Sequence, residues 1–268
     1  MRRAPSVLLV ALALAACGPS VVGAPTGVAP SPRSELTVFA AASLRNAVEA
    51  AGRAYAQATG TAVTVSTDSS AALRTQIEQG APADVFLSAD TAQPSALAAA
   101  GLAAAEPRVF ATNRLAIITP VDVDAAVTSP ADLASDGLRI VAAGEEVPIT
   151  RYANEMVANL ASLDGYPADF AAAYERNIVT REDNVAAVVA KIELGEGDAA
   201  VVYVTDATAS DGLEVVAVPD GANVQVRYVG VEVGSSGNAE AASAFLAWLV
   251  GPDGQDVLAG FGFLPPVP

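Results

Sequence analysis

From Glu35 onward, strand-like and helix-like segments alternate, and this rhythm constrains the fold more than any other feature of the chain. Strands separated by helical segments pair through crossover connections, so the pattern predicts an α/β protein with largely parallel sheets. "LTVFAAA" reads as a first strand and "LRNAVEAAGRAYAQATG" as a helix stopped at Gly60. The strand "AVTVS", the helix "AALRTQIEQG", the strand "ADVFLSA" and the helix "PSALAAAGL" continue the series. "RVFATNRLAIITP" is a long β-rich run broken at Asn113, the kind of run that crosses from one domain into a second. Beyond it, "ADLAS", "LRIVAAG", "PITRYANEMVANLASL", "NIVT", "NVAAVVAKIELGEG" and "DAAVVYVTDA" read as helix, strand, helix, strand, helix, strand. "LEVVAVP" and "VRYVGVEVG" add two strands, the second leading back, and "AEAASAFLAWLVGPDGQDVLAGFGF" closes with two helical pieces joined at Gly251–Gly254. No repeat with a period of 20–50 residues is visible.

The first residues stand outside that rhythm. Arg2 and Arg3 precede the apolar run "VLLVALALAA", which is too short for an ordinary membrane span. The run ends in "LAAC" and Gly18, which resembles the lipobox of bacterial lipoproteins, with Cys17 lipidated as the new first residue. A plain secretory signal cleaved after a small residue is the alternative. Cys17 is the only cysteine of the chain and sits where the lipobox needs it, which favours the anchor. The expectation is therefore a leader over 1–16 and a Gly-, Pro- and Ser-rich tether over 17–34. Stable anchoring takes two or more acyl chains.

Composition excludes several functions. Without residues 1–16 the chain keeps 12 basic against 30 acidic side chains, a net of −18. No basic footprint for nucleic acid is present. The chain has no histidine, which removes Ser-His-Asp and Cys-His catalysis and the usual imidazole-based zinc sites. With Cys17 used as the anchor, no disulfide is available, so the core must carry stability alone. "GSSG" at 234–237 is not the G-x-S-x-G elbow, and "GEGD" at 195–198 lacks the lysine of a phosphate-binding loop. No acid pair is marked out for glycoside chemistry. The reading is a non-enzyme without a cofactor.

The junctions between strands and helices carry the remaining signal. In open α/β sheets ligands sit beyond the carboxyl ends of strands. Helix starts present unpaired N–H groups and partial positive charge, which suits anions. Ser43 follows the first strand, Ser69 and Ser70 precede Ala71, Pro148 and Ile149 open one helix, and Asn184 and Val185 open another. Each junction taken singly is explained by helix capping, a contribution of about 1 kcal/mol. Tyr203 by itself reads as a strand residue with a satisfied hydroxyl.

Taken together, "VFAAASL", "QIEQGAPADVFLSAD", "VPITRYA", "EDNVAAVVAKIELGEGDAAVVYVTDA" and "GPDGQDVLAGFGF" resemble the periplasmic molybdate-binding proteins of ABC transporters, from about Leu36 to Phe263. The resemblance implies an α/β, two-lobe periplasmic-binding-protein-like fold of class II with a two-strand hinge. Lobe 1 would span 35–112 and 229–268, and lobe 2 would span 113–228. A tetrahedral oxyanion, molybdate or tungstate, would be held by hydrogen bonds alone. Its donors would be Ser43, Ser70 (with Ser69 the near alternative), the backbone N–H groups of Ile149 and Val185, and Tyr203. Ile149 is larger than the Ala or Gly often found there, which bears on pocket shape. These dianions offer only acceptors, so no carboxylate is expected in the wall. The implied partners are an ABC permease and, through the lipid anchor, the membrane surface; the protein would be an extracytoplasmic monomer. A receptor for sulfate or a sulfonate on the same fold, or a structural surface lipoprotein with no ligand, are the competing readings.

Overall fold

A computed structural model describes residues 35–121 and 127–266. The leader 1–16, the lipobox Cys17 and the tether 17–34 lie outside the described residues. The elements run β1 (Glu35–Ala41), α1 (Arg45–Thr59), β2 (Ala62–Asp68), α2 (Ser70–Glu78), β3 (Val85–Ser88), α3 (Ala92–Ala99), β4 (Arg108–Asn113) and β5 (Leu115–Pro120). They continue with β6 (Ile140–Ala143), α4 (Pro148–Ala161), α5 (Phe170–Asn177), β7 (Ile178–Glu182), α6 (Val185–Glu193), β8 (Ala199–Tyr203) and α7 (Val204–Thr208). The chain closes with β9 (Leu213–Val216), β10 (Val226–Glu232), α8 (Ala239–Val250) and α9 (Pro252–Gly260). None of the described helices is long and apolar enough to cross a membrane.

Two five-stranded sheets result. Sheet 1 has the order β2-β1-β3-β10-β4 and sheet 2 the order β7-β6-β8-β5-β9. β1 runs parallel to β2 and β3, and β6 runs parallel to β7 and β8. The sheets are mixed rather than largely parallel, because β10 is antiparallel to β3 and β4, and β5 is antiparallel to β8 and β9. The cause lies in the connections: β5 follows β4 after a single residue, Arg114, and so enters sheet 2 with no crossover helix to set it parallel.

Period-two alternation divides sheet 1 between two cores. Leu36, Val38, Ala40, Val85 and Leu87 pack with Val48, Ala51, Phe245 and Leu249 of α1 and α8. Phe39, Phe86 and Val231 face the other way, onto Leu73, Ile77 and Leu97 of α2 and α3. Tyr55 fixes the α1–α8 contact, edge-on to Phe245 and Trp248 at ring separations of 5.1 and 5.5 Å. α1 stops where expected: Gly60 takes φ 79°, and its N–H closes on the Ala56 carbonyl.

Three local expectations are corrected. α5 has no counterpart in the sequence reading, because its apolar stripe (Phe170, Ala173, Tyr174) covers barely two turns. "DAAVVYVTDA" is not one strand: it ends at Tyr203, where the Asp206 carboxylate accepts from the Tyr203 N–H at 3.3 Å and turns the chain into α7. The final helices meet at Gly251 alone, since Pro252 already occupies the first position of α9.

The "GAPADVF" motif carries an architectural residue. Asp84 is buried at the amino end of β3, where its carboxylate accepts from the Thr37 N–H at 2.8 Å, the Ser236 hydroxyl at 2.6 Å and the Asn238 amide at 3.3 Å. It ties β1 to the turn before α8. Replacing Asp84 with Ala strands those donors, and urea titration should read a loss of about 2–4 kcal/mol.

Candidate functional site

The parallel strands β1, β2 and β3 of sheet 1, and β6, β7 and β8 of sheet 2, all end toward one small cavity. Its wall comprises Ala41 at the end of β1 with Ala42 and Ser43 after it, Ser69 and Ser70 after β2, and Ala89 after β3. From the second sheet come Val147–Ile149 after β6, Asn184 and Val185 after β7, and Tyr203 ending β8. The structure thus brings Ser43, Ser70, Ile149, Val185 and Tyr203 together in one cavity. The cavity is small, with about 10 Å³ open to the centre of a water-sized sphere, so its walls stand close together. No carboxylate and no cation is among the lining residues.

Each of these groups is set by its local structure. Ser69 is the N-cap of α2 and accepts from the Ala72 N–H at 3.2 Å. Ser70 is buried, and its Oγ accepts from the Ala89 N–H at 3.0 Å, which leaves the hydroxyl proton to donate. Pro148 carries no N–H, so Ile149 supplies the first N–H of α4, in a turn without an intrahelical acceptor. Asn184 caps α6 by accepting from the Ala187 N–H at 3.1 Å, which leaves the N–H of Val185 outside the cap. The Ile149 side chain is buried in the core and also borders a second small void between α4 and β6, so its bulk is shared with the core of lobe 2.

Ser43 is oriented by residues that the sequence reading did not single out. Its Oγ lies 3.1 Å from the Tyr228 hydroxyl. Asn113 Oδ1 accepts from the Arg114 N–H at 2.8 Å, which directs Nδ2 toward Thr205 Oγ1 at 2.9 Å and toward the Tyr228 hydroxyl at 3.5 Å. The arrangement that satisfies every group runs Asn113 to Tyr228 to Ser43, with each donating to the next. Ser43 then has its proton left for the cavity. Tyr228 is wedged among Phe110, Tyr203 and Phe263 at ring separations of 5.1–6.2 Å, so the terminal "FGF" buttresses this relay. Burial first, then the neighbouring tyrosine, pushes the Tyr203 hydroxyl well above the usual tyrosine range, so it remains an O–H donor. Burial does the same for Tyr228. The sequence marked Asn113 only as a break and Tyr228 not at all, because their joint contact depends on the pairing of β4 with β10.

Ser43 also borders a larger side chamber of about 480 Å³, lined in part by Arg45, Glu193, Asp206 and Phe261. Withdrawal from water holds the Asp206 carboxyl up to about 7, against the pull of the Tyr203 N–H. An ordinary unfolded aspartate ionises near 4. Its proton is therefore retained on folding, and the stability linked to it is lost as pH rises from about 4 to 7. Asp206→Asn should gain in melting temperature over wild type across that window, and the gap should level off above about pH 8.

Two sheets, connected through Arg114 and through 217–225 and meeting at a cleft between the carboxyl ends of their parallel strands, define a two-lobe solute-binding protein. The chain belongs to the bacterial extracellular solute-binding protein family, whose model matches residues 36–264. It is 34% identical over 264 residues to the molybdate-binding protein ModA of Mycobacterium tuberculosis H37Rv, covering 97% of this chain and 96% of the relative. The Escherichia coli K12 molybdate-binding protein ModA is 32% identical over 254 residues, with 92% and 95% covered. The periplasmic molybdate-binding protein of Azotobacter vinelandii shares the fold, with a TM-score of 0.74 at 24% identity over 87% of this chain and all of that one.

Proposed function

We propose that the protein captures molybdate outside the cytoplasm, with tungstate as a second ligand, and delivers it to the permease of an ABC transporter. The observation that carries this reading is the composition of the cavity wall: hydroxyls of Ser43, Ser70 and Tyr203 and first-turn N–H groups of Ile149 and Val185, with no acceptor carboxylate. A fully deprotonated tetrahedral dianion offers acceptors alone, and such a wall suits it. Hydrogen bonds to an ionised acceptor are roughly twice as strong as neutral ones, so a handful of dipolar donors suffices without a counter-charge. The names of the two ModA relatives point to the same ligand.

The lobes we assign are 35–112 with 229–268, and 113–228. The ladders support a two-lobe division with crossings near these bounds, at Arg114 and within 217–225; Asn113 and Val226–Tyr228 themselves pair in sheet 1, which moves each crossing slightly inside the assigned limits. Donors from both lobes make the closed form the higher-affinity form, and the ion shifts the equilibrium by that difference. The lipobox supports anchoring through Cys17, which would keep a monomeric receptor beside its permease. The protein works by binding and release, not by catalysis.

A thermal-shift screen with molybdate, tungstate, sulfate and a sulfonate distinguishes the candidate anions. At a hundredfold excess over Kd, the cognate ion should add about 2.7 kcal/mol of stability. Ser43→Ala combined with Tyr203→Phe should lower molybdate affinity about a hundredfold in calorimetry, a loss of two charge-assisted hydrogen bonds at about 1.5 kcal/mol each. Wild-type binding by the double variant refutes the site.

A further inference from the structure

One charged pair crosses the cleft without touching the cavity. Arg151 lies in the first turn of α4, in lobe 2, and its Nη2 stands 3.5 Å from Oδ2 of Asp90, which follows β3 in lobe 1. Asp90 is 2% exposed, whereas the Arg151 side chain is 48% exposed. Asp90 Oδ1 is committed to its own lobe, where it accepts from the Ser88 hydroxyl and the Gln93 N–H, both at 3.0 Å. Oδ2 is the oxygen presented to the other lobe. The guanidinium is held over the ring of Tyr152, 4.3 Å from its centroid. A second contact spans the lobes nearby, from Asn184 Nδ2 to Asp68 Oδ1 at 3.4 Å.

The position of Asp90 makes this pair consequential. Ala89, its neighbour, lines the cavity and is hydrogen-bonded to Ser70. A buried carboxylate one residue from the wall opposes the entry of a dianion. The charge that offsets it sits on the opposite lobe and reaches it only when the lobes meet.

We propose that Arg151 and Asp90 form a closure latch that holds the loaded state without contacting the ion. The proposal rests on the oxyanion reading given above. Arg151 acts by neutralising Asp90 in the closed cleft, so the pair sets the release rate more than the encounter rate. Asp90→Asn keeps the Oδ1 acceptor for Ser88 and Gln93 and removes only the charge.

Four proteins test this: wild type, Arg151→Gln, Asp90→Asn, and the double variant, each followed by molybdate calorimetry, stopped-flow dissociation and a spin-label distance across the cleft. Arg151→Gln should weaken binding about tenfold, with the change in the dissociation rate. The double variant should return to within about threefold of wild type, because no unpaired buried carboxylate remains. A double variant as weak as Arg151→Gln overturns the latch, since Arg151 would then act on the ion itself. An Arg151→Gln protein within twofold of wild type also overturns it. The interlobe distance, read without added oxyanion, keeps the two proposals apart. Wild type that binds no oxyanion, yet opens when Arg151 is replaced, defeats the molybdate reading and retains the latch. Wild type that binds while the variant's distance and dissociation rate stay unchanged defeats the latch alone.

Discussion

Everything in this molecule turns on the passage from Asn113 to Leu115, where one residue separates a strand of sheet 1 from a strand of sheet 2. A junction that short leaves no room for a loop, so the two sheets are set relative to one another by continuous backbone. Asn113 reinforces it by holding the Arg114 N–H, Thr205 and Tyr228 at once. The same side chain reaches, through Tyr228, to Ser43. The crossing and the cavity wall are therefore one hydrogen-bonded structure.

The chemistry of the cavity is that of dipoles. Helix starts and hydroxyl-bearing residues line it, and no acidic residue is among its lining residues. Backbone N–H groups at helix starts are already oriented by the fold, so on the proposed reading an arriving anion needs little reorganisation. A cation in the wall would bind any anion by charge. Donors of defined direction instead favour a ligand whose acceptors match in number and geometry. Arg151 stands outside the wall, so its charge serves the neighbouring carboxylate and leaves the donor set unaltered.

Several stretches that mark the family in sequence turn out to be structural. "GAPADVF" contributes Asp84, which joins β1 to the turn before α8 at the end of sheet 1 away from the cavity. The terminal "FGF" contributes Phe263, packed edge-on to Tyr228, and Leu264 just beyond it pairs its backbone with Thr112 on β4. These residues give the donors a rigid frame. A motif can thus report on the site through two intermediaries, here an aromatic contact and a hydrogen bond.

Much of the fold was legible in the linear chain, because strand and helix periods are local properties of side-chain spacing. The alternation from Glu35, the stop at Gly60 and the break beside Asn113 follow from residues within a few positions of one another. The residues around the cavity were legible too, but as a set of helix starts and strand ends joined by family resemblance, each of which capping explains when taken alone. Antiparallel entry of β5 and β10, the short helix after Tyr203 and α5 were not legible, since pairing partners or brief stripes decide them. The roles of Asn113, Tyr228, Asp90 and Arg151 came only with tertiary structure. Their contacts join positions 61 to 185 residues apart, and no local pattern encodes which distant side chain a buried polar group will meet.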